Sequence, residues 1–552
     1  MKTQRIWGTL DPFHESGPIL GRKVANTGFL NGLLSLDPFD EYHFFLSGAG
    51  LRKGLHSFFS SHYPAFLEQG RVKIMDRRDL PDEIASREYF CFHQSDCINY
   101  PPHLARVRNR YAKNIFPITA TTHSLSYSSY PSFFLNYLWP GTTGRDCIVT
   151  TSTAGKLVVE KYFRHLREGL CLSETTHPSP QIKRIPLGVN PEESSLPEEH
   201  RKAQAKRNLG MDGADERVNI LVFGRIAHYS KMDILPLLRA MQRLFSSGLS
   251  RDRVRIMLAG WLDDDDDFPA TLSQLAKNMG VELSIIGRPS DERKTDLYRA
   301  ADIFVSISDN PQETFGLTVL EAGAAGLPVI ASDYDGYKDL VVNNETGMLI
   351  ETIGPEATPE LDLMAPLCFD NHYHLLMAQQ TAVDTPKLAG ALEKLINDPQ
   401  LRANMGRAGA NRVRENFSWS KVIEEHLSLW EELNNVPVES GKLRETLHPT
   451  QLRLGETFSH YPTETLAPET KLVCGTTGQA IYQGREFPLM YKGVDRFLND
   501  EVVRKIPFLA RKPLDAAELA EKMKSMAGNM DDRDCEFHIL WCLKHDVLEK
   551  IC

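Results

Sequence analysis

An α/β chain built on two doubly wound domains is what the sequence predicts, from three observations. Short apolar runs alternate with helical periodicity from residue 1 to about 435, the pattern of βαβ units that feed parallel sheets. The runs fall into two sets, separated by the charged stretch PEESSLPEEHRKAQAKRN at 191–208. The 552 residues exceed what two such domains need, so a third, smaller unit is expected after them.

The first set of strands comprises QRIWG at 4–8, HFFLSG at 43–48, NIFPITATT at 114–122 and DCIVTTS at 146–152. The second comprises VNILVFG at 218–224, RVRIMLAG at 253–260, LSIIG at 283–287, DIFVSIS at 302–308 and PVIASD at 328–333. The expected division is a first domain over 1–205, a second over 206–415, and a closing crossover helix over 416–435 (SWSKVIEEHLSLWEEL at its heart). A linker over 436–471 and a small α+β domain over 472–552, winged-helix-like with small helices and a hairpin, complete it. Two facing sheets of this kind bind ligands at the carboxyl ends of their strands and are expected to open and close around them.

Lys plus Arg total 63 against 73 Asp plus Glu, a net charge of -10, so the broad basic footprint of a nucleic-acid binder is missing. The opening MKTQRIWGTLDPFHESG lacks the apolar core of a signal peptide and no membrane-length apolar run occurs, which reads as a cytoplasmic chain. Nine cysteines without framework spacing fit a reducing compartment. Cys91, His93 and Cys97, and Cys535, His538 and Cys542, lack the second ligand pair of a zinc site and are read as ordinary thiols and imidazoles. The run Asp263–Asp267 reads as a solvated acidic loop. The stretch 103–113 (HLARVRNRYAK) reads as a surface helix with an apolar core face, with peripheral contact to an anionic membrane as the sharper alternative.

Chemistry concentrates in Glu313-Thr-Phe-Gly-Leu-Thr-Val-Leu-Glu321, followed by AGAAGLPVIA. A helix starting at about Phe315 with Thr314 as its N-cap would point the amides of Phe315, Gly316, Leu317 and Thr318 at a diphosphate. Gly316 would let the backbone come close, and Glu313 and Glu321 are too far apart along the helix to share one proton.

These residues resemble the retaining nucleotide-sugar glycosyltransferases of family 4, which have the GT-B fold. The likeness rests on E-x₇-E with its internal F-G-L and the E-A-x-A-x-G-x-P-V-I-A that follows. Gly224-Arg225-Ile226 with Lys231, DERKTDLYRAADIFV at 291–305, Ser332-Asp-Tyr-Asp-Gly336, Ile185-Pro-Leu-Gly-Val-Asn190 and Thr121-Thr122-His123 agree with it in order. The sequence departs in the spacing from Arg225 to Lys231, one residue longer than in many relatives, in Met232 where Gly commonly follows, and in the loop Ser16–Gly21, which lacks an adjacent glycine pair.

The resemblance implies that Arg225 and Lys231 bind the donor diphosphate, that Glu313 binds sugar hydroxyls beside the amides of Thr314 to Thr318, and that Glu321 accepts from the ribose. It counts Gly224 among the donor-binding residues and places Gly287, Arg288 and Pro289 at the nucleobase, His123 at the reacting sugar or acceptor, and Gly21 in the first domain's loop that comes close to the phosphates. His123, Arg225, Lys231 and Glu313 are thus the candidate catalytic group. No metal and no cofactor is implied beyond the nucleoside-diphosphate sugar itself. The expected activity is hexosyl transfer with retention to an acceptor hydroxyl on a glycan, lipid, protein or small molecule. A catalytically silent sugar-nucleotide-binding subunit and an epimerase or phosphorylase on the same fold are the alternatives.

Overall fold

The computed structural model describes residues 4–14, 21–190, 199–262, 268–494, 497–528 and 530–551. The acidic run Asp263–Asp267, most of the loop Ser16–Gly21 and the start of the stretch 191–208 lie outside them. The chain forms two compact units, Met1–Thr450 and Gln451–Cys552.

The first unit holds two all-parallel sheets. Strands β1 (Ile6–Thr9), β2 (Glu41–Leu46), β3 (Val72–Asp76), β4 (Cys91–Gln94), β5 (Ile118–Thr121), β6 (Asp146–Thr150) and β7 (Gln181–Arg184) assemble in the order β3-β2-β1-β4-β5-β6-β7. Strands β8 (Val218–Phe223), β9 (Val254–Gly260), β10 (Leu283–Gly287), β11 (Ile303–Ser306), β12 (Val329–Ser332) and β13 (Gly347–Ile350) follow as β10-β9-β8-β11-β12-β13. In each sheet the winding reverses at one point, between β1 and β4 and between β8 and β11, and such a reversal opens a crevice at the strands' carboxyl ends.

The second sheet shows why its strands read as unbroken apolar runs. Ile220, Val222, Ile256, Leu258, Ile303 and Val305 enter one core, while Leu221, Met257, Ala259 and Phe304 enter another on the opposite face. Alternate residues point to opposite faces, and both faces are covered by helices. Strands β3, β4, β7 and β13 were not predicted. β4 (CFHQ) carries two polar residues, yet all four are buried, because β4 lies at the centre of the sheet and His93 Nδ1 bonds Thr119 Oγ1 at 2.8 Å.

The crossover helix forms over Trp419–Asn434 and returns to the first lobe. Trp430 donates to Thr119 Oγ1 at 2.8 Å, and a Cβ added to Gly28 would stand 2.6 Å from the Trp419 ring, so the helix Gly21–Leu36 can approach only without side chains there. The expected boundary at 205/206 moves back. The helix Glu199–Asn208 packs in the second lobe, where Lys202 pairs with Asp302 at 2.6 Å and Asn208 donates to Asp296 at 3.0 Å.

The expected linker 436–471 is in part structured. The helix Ser440–Glu445 buries Leu443, and His448 bonds the Asn136 carbonyl at 2.9 Å, so the first unit continues to Thr450. The helix Pro101–Tyr111 meets this segment through Arg110, which donates to Arg444 O at 3.0 Å. Its Arg108 is fully buried and paired with Asp146 at 2.6 Å, so the basic stretch does not present all its cations to solvent. No helix among the described residues is long and apolar enough to cross a membrane.

The second unit is α+β. Its β16 (Lys471–Cys474) lies between β17 (Leu514–Asp515) and β18 (Leu548–Lys550), all antiparallel. The numbering passes over a ribbon in the first unit, β14 (Thr352–Ile353) with β15 (Ala382–Val383). The expected hairpin is replaced by strands distant in sequence on either side of β16, so the two-stranded wing of a winged helix is absent among the described residues. The run EFHILWCLKHDVLEKI at 536–551 reads as one helix, but the helix Asp532–Lys544 stops within it and Leu548–Lys550 pairs as strand.

Candidate active site

Lys231 and Glu313 meet at the winding reversal of the second sheet. Lys231 follows β8 and Glu313 follows β11, the two strands that flank the crevice, and the two side chains form a salt bridge with only 15% and 13% of their surface exposed. Burial works against both charges, yet the Lys231 ammonium holds the Glu313 carboxyl below the usual range and Glu313 holds the Lys231 ammonium above its own. Both are therefore ionised throughout the neutral range. Arg225 stands on the same turn and donates to Ser230 Oγ at 2.9 Å.

The turn that carries Lys231 is held from beneath by the segment after β11. Ser308 Oγ donates to the Lys231 carbonyl at 3.1 Å, Asn310 Nδ2 to the Tyr229 carbonyl at 2.9 Å, and the Asp233 amide to Asp309 at 3.4 Å. Asp309 is buried with one carboxylate oxygen unpartnered, and burial together with Asp233 pushes its pKa up to about 7. Sequence reasoning did not single out these residues. The Asp-Asn-Pro after DIFVSIS signals only a break, and its contacts lie on another strand's turn.

The helix after Glu313 runs Leu317–Ala324 and begins two residues later than expected. Its N-cap is Gly316, not Thr314, because Gly316 takes the left-handed conformation at φ 110° and starts the turn there. Glu313 Oε1 accepts from the amides of Thr314 and Phe315, each at 3.3 Å, so the Phe315 N–H is not free for a ligand as predicted. Thr318 keeps its expected place in the first turn, and its buried hydroxyl has no partner among the described residues. The first turn of a helix with such a hydroxyl can receive an anion.

Glu321 sits apart, bonded by Lys294 at 2.6 Å and Tyr298 at 2.9 Å, so the two glutamates belong to separate networks as expected. A carboxylate with two partners still has acceptor capacity for a ligand hydroxyl. Near it the ends of three strands close up. Gly224 bonds Ala259 O at 3.0 Å, and a Cβ on Gly260 would strike the Gly224 carbonyl. Arg288, after Gly287 and before Pro289, has φ 47°, donates its amide to Gly260 O at 2.7 Å and lays its guanidinium over Trp261.

His123 follows β5 in the first lobe. Nε2 donates to the Ser95 carbonyl at 2.8 Å, which leaves Nδ1 as an acceptor, and burial lowers its pKa to about 4. The structure does not bring His123 into contact with Lys231 or Glu313, but their neighbours touch, since Ser124 Oγ donates to the Gln312 carbonyl at 2.9 Å. Gly21 opens the helix Gly21–Leu36, with nothing among the described residues close to where its Cβ would stand.

A second bridge between the lobes was not foreseen. The chain leaves the second sheet at β14 and returns at β15, and the helix Asp370–Ala378 between them reaches the segment after His123. Asp370 accepts from Ser128 N and Oγ at 3.1 and 3.0 Å, while Tyr373 and His374 both bond the Ser126 carbonyl, His374 at 3.1 Å.

Two all-parallel, doubly wound lobes with a buried Lys–Glu pair at the second lobe's winding reversal and a returning crossover helix define the GT-B class of protein. Residues 212–360 match the family described as glycosyl transferases group 1. Among curated proteins it is similar to the D-inositol 3-phosphate glycosyltransferase of Rhodococcus erythropolis, 30% identical over 222 residues, 40% of this chain and 42% of that one. The enzyme of the same name from Corynebacterium aurimucosum is 27% identical over 44% of this chain and 49% of its own. The matched stretches thus span less than half the length of these relatives. Among solved structures, a glycosyltransferase of Rickettsia africae superposes with a TM-score of 0.53 at 17% identity, covering 79% of this chain and all (100%) of that one. HepE of Anabaena in complex with UDP gives 0.51 at 14% identity, covering 77% of this chain and 99% of its own.

Proposed function

We propose that this protein is a retaining, metal-independent glycosyltransferase that moves a hexosyl group from a nucleoside-diphosphate sugar to an acceptor hydroxyl. The observation that carries this reading is the buried Lys231–Glu313 pair set against the first turn of Leu317–Ala324, where the Thr318 hydroxyl lacks a partner. In this reading Lys231, Arg225 and the helix turn receive the diphosphate and stabilise the charge that grows on it as the glycosidic bond breaks. Glu313 takes the sugar hydroxyls and Glu321 the ribose. The two cations supply the positive charge that a divalent ion would otherwise carry.

Neither His123 nor Glu313 is poised as a base at neutral pH. Burial lowers the imidazole to about 4, and Lys231 keeps the carboxylate a weak proton acceptor. The β-phosphate oxygen released with the leaving group is then the group left to take the acceptor's proton, on the same face of the sugar. That route gives retention. The HepE structure with UDP makes a uridine donor the first to try, and the names of the curated relatives make D-inositol 3-phosphate the first acceptor. The acceptor lies on the first-lobe side, near His123.

The test is thermal-shift screening against UDP-, GDP- and ADP-sugars, followed by turnover. A sugar nucleotide at 100 times its Kd adds about 2.7 kcal/mol of stability. Lys231→Ala is expected to weaken donor binding about 10- to 150-fold, the size of one charged hydrogen bond of about 1.5–3 kcal/mol. If no sugar nucleotide shifts the melting curve and none is hydrolysed or transferred, the reading is wrong.

A further inference from the structure

We propose that Tyr337 is a positioning residue for this reaction: its buried hydroxyl keeps the Glu313 carboxylate in place when Lys231 leaves it for the sugar donor's diphosphate. The inference rests on the site being a sugar-nucleotide site. Lys231 and Glu313 satisfy each other. A sugar nucleotide asks both to change partner, the ammonium turning to phosphate and the carboxylate to sugar hydroxyls. A buried carboxylate whose cation turns away needs another donor, or it swings out or takes up a proton.

The remaining donors are few and well placed. The amides of Thr314 and Phe315 hold Oε1, which leaves Oε2 to Tyr337, whose hydroxyl donates to it at 3.4 Å. A phenol has one proton to give, and the wiring leaves it for Glu313. Ser306 Oγ lies 2.7 Å from the phenolic oxygen and has its own proton to donate there. Ser306 ends β11 and is fully buried, so the chain of hydroxyls is anchored in the sheet rather than in a loop. The Lys231 ammonium also meets the phenolic oxygen, which ties both members of the pair to one atom. Burial pushes the phenol up to about 12, so it stays a donor at neutral pH.

The ring does a second job. Tyr337 has no exposed surface, and a Cβ on Gly316 would stand 2.5 Å from its Cε1, so the ring fixes the close approach of the turn that starts the phosphate-side helix. Tyr337 therefore touches the groups that touch the ligand, and not the ligand itself.

Tyr337→Phe keeps the ring and removes only the hydroxyl. The expected melting-temperature change is about 3 °C or less. UDP-glucose turnover should fall roughly tenfold or more in kcat with KM for UDP-glucose nearly unchanged. Ser306→Ala should move kcat in the same direction by less. A second readout needs no sugar nucleotide: competitive acetylation of Lys231 at pH 9 should be several-fold faster in Tyr337→Phe than in the parent, because the ammonium loses one of the two groups that hold its proton. Unchanged acetylation and unchanged kcat would each overturn the proposal. So would a kcat loss that tracks a fall in melting temperature and vanishes on cooling, since packing alone would then explain it. Faster acetylation in a protein that turns over no sugar nucleotide would uphold the hold of Tyr337 on the pair and reject the sugar-nucleotide reading instead.

Discussion

A carboxylate buried beside a cation and one buried without it respond to pH in opposite ways, and the second lobe holds both. Glu313 has Lys231 and stays ionised; Asp309 has one weak amide contact and a neighbouring acid, and its pKa rises to about 7. The sign follows from linkage. A carboxyl raised in the folded state adds stability that is whole below its unfolded value of 3.8 and is lost as pH climbs through about 7. Asp309→Asn cannot ionise, so its advantage over the parent should grow from pH 4 to pH 7 and be full above that, at about 1.4 kcal/mol per pKa unit. Urea unfolding of both proteins at pH 5 and pH 8 measures it, and a difference that does not change with pH rules the idea out. At this scale the sequence showed Lys231, Glu313, Arg225 and Glu321 but not what they touch. Nothing in the string links residues 82 positions apart. Tyr337, Ser306 and Asp309 stayed unread for the same reason: a serine at the end of a strand and a tyrosine after a turn have no local signature of shared hydrogen bonds.

Glycines separate what an element needs from what it tolerates. Gly316 caps the helix Leu317–Ala324 in the left-handed region with the Tyr337 ring where a side chain would go. Gly54 lies inside the regular helix Ala49–His62 with nothing near. Gly316→Ala should cost about 2 kcal/mol or more, from backbone strain of about 1–3 kcal/mol plus the clash. Gly54→Ala should gain about 0.5–1 kcal/mol through helix propensity. Denaturant titration of the two variants checks the contrast, and equal effects would contradict it. The predicted strands formed because apolar runs buried on both faces leave little choice, as in β8, β9 and β11. β4 escaped because His93 and Gln94 look polar; burial of His93 is made possible by Thr119 and Thr121 on β5.

Across the first unit the joint formed by the excursion between β14 and β15 matters most. Asp370, Tyr373, His374 and Gln312 hold the segment Ser124–Ser128, directly after His123, to the lobe that carries Glu313. The joint is imperfect: among the described residues Ser126 Oγ, His374 Nδ1 and Gln312 Oε1 are buried without partners, and each would recover bonds to water on parting. A contact of that kind is suited to opening. Asp370→Ala combined with Tyr373→Phe should raise amide hydrogen exchange at Ser124–Tyr130 several-fold. Exchange no faster than in the parent would show that the joint does not hold the lobes.

The sequence by itself determined the two parallel sheets, the crossover helix and the charged residues at the strand ends. Those follow from local period, burial on both faces and the helix-start chemistry of E-T-F-G, which act over a few neighbours. Only the tertiary structure decided which charges pair, that Gly316 rather than Thr314 caps the helix, that the segment Ser440–Thr450 belongs to the first unit, and that an excursion from the second lobe reaches the first. The physical reason is strand order. Setting β8 beside β11 puts Lys231 on Glu313, and a sheet's winding is chosen by the packing of whole elements, which no window of residues records.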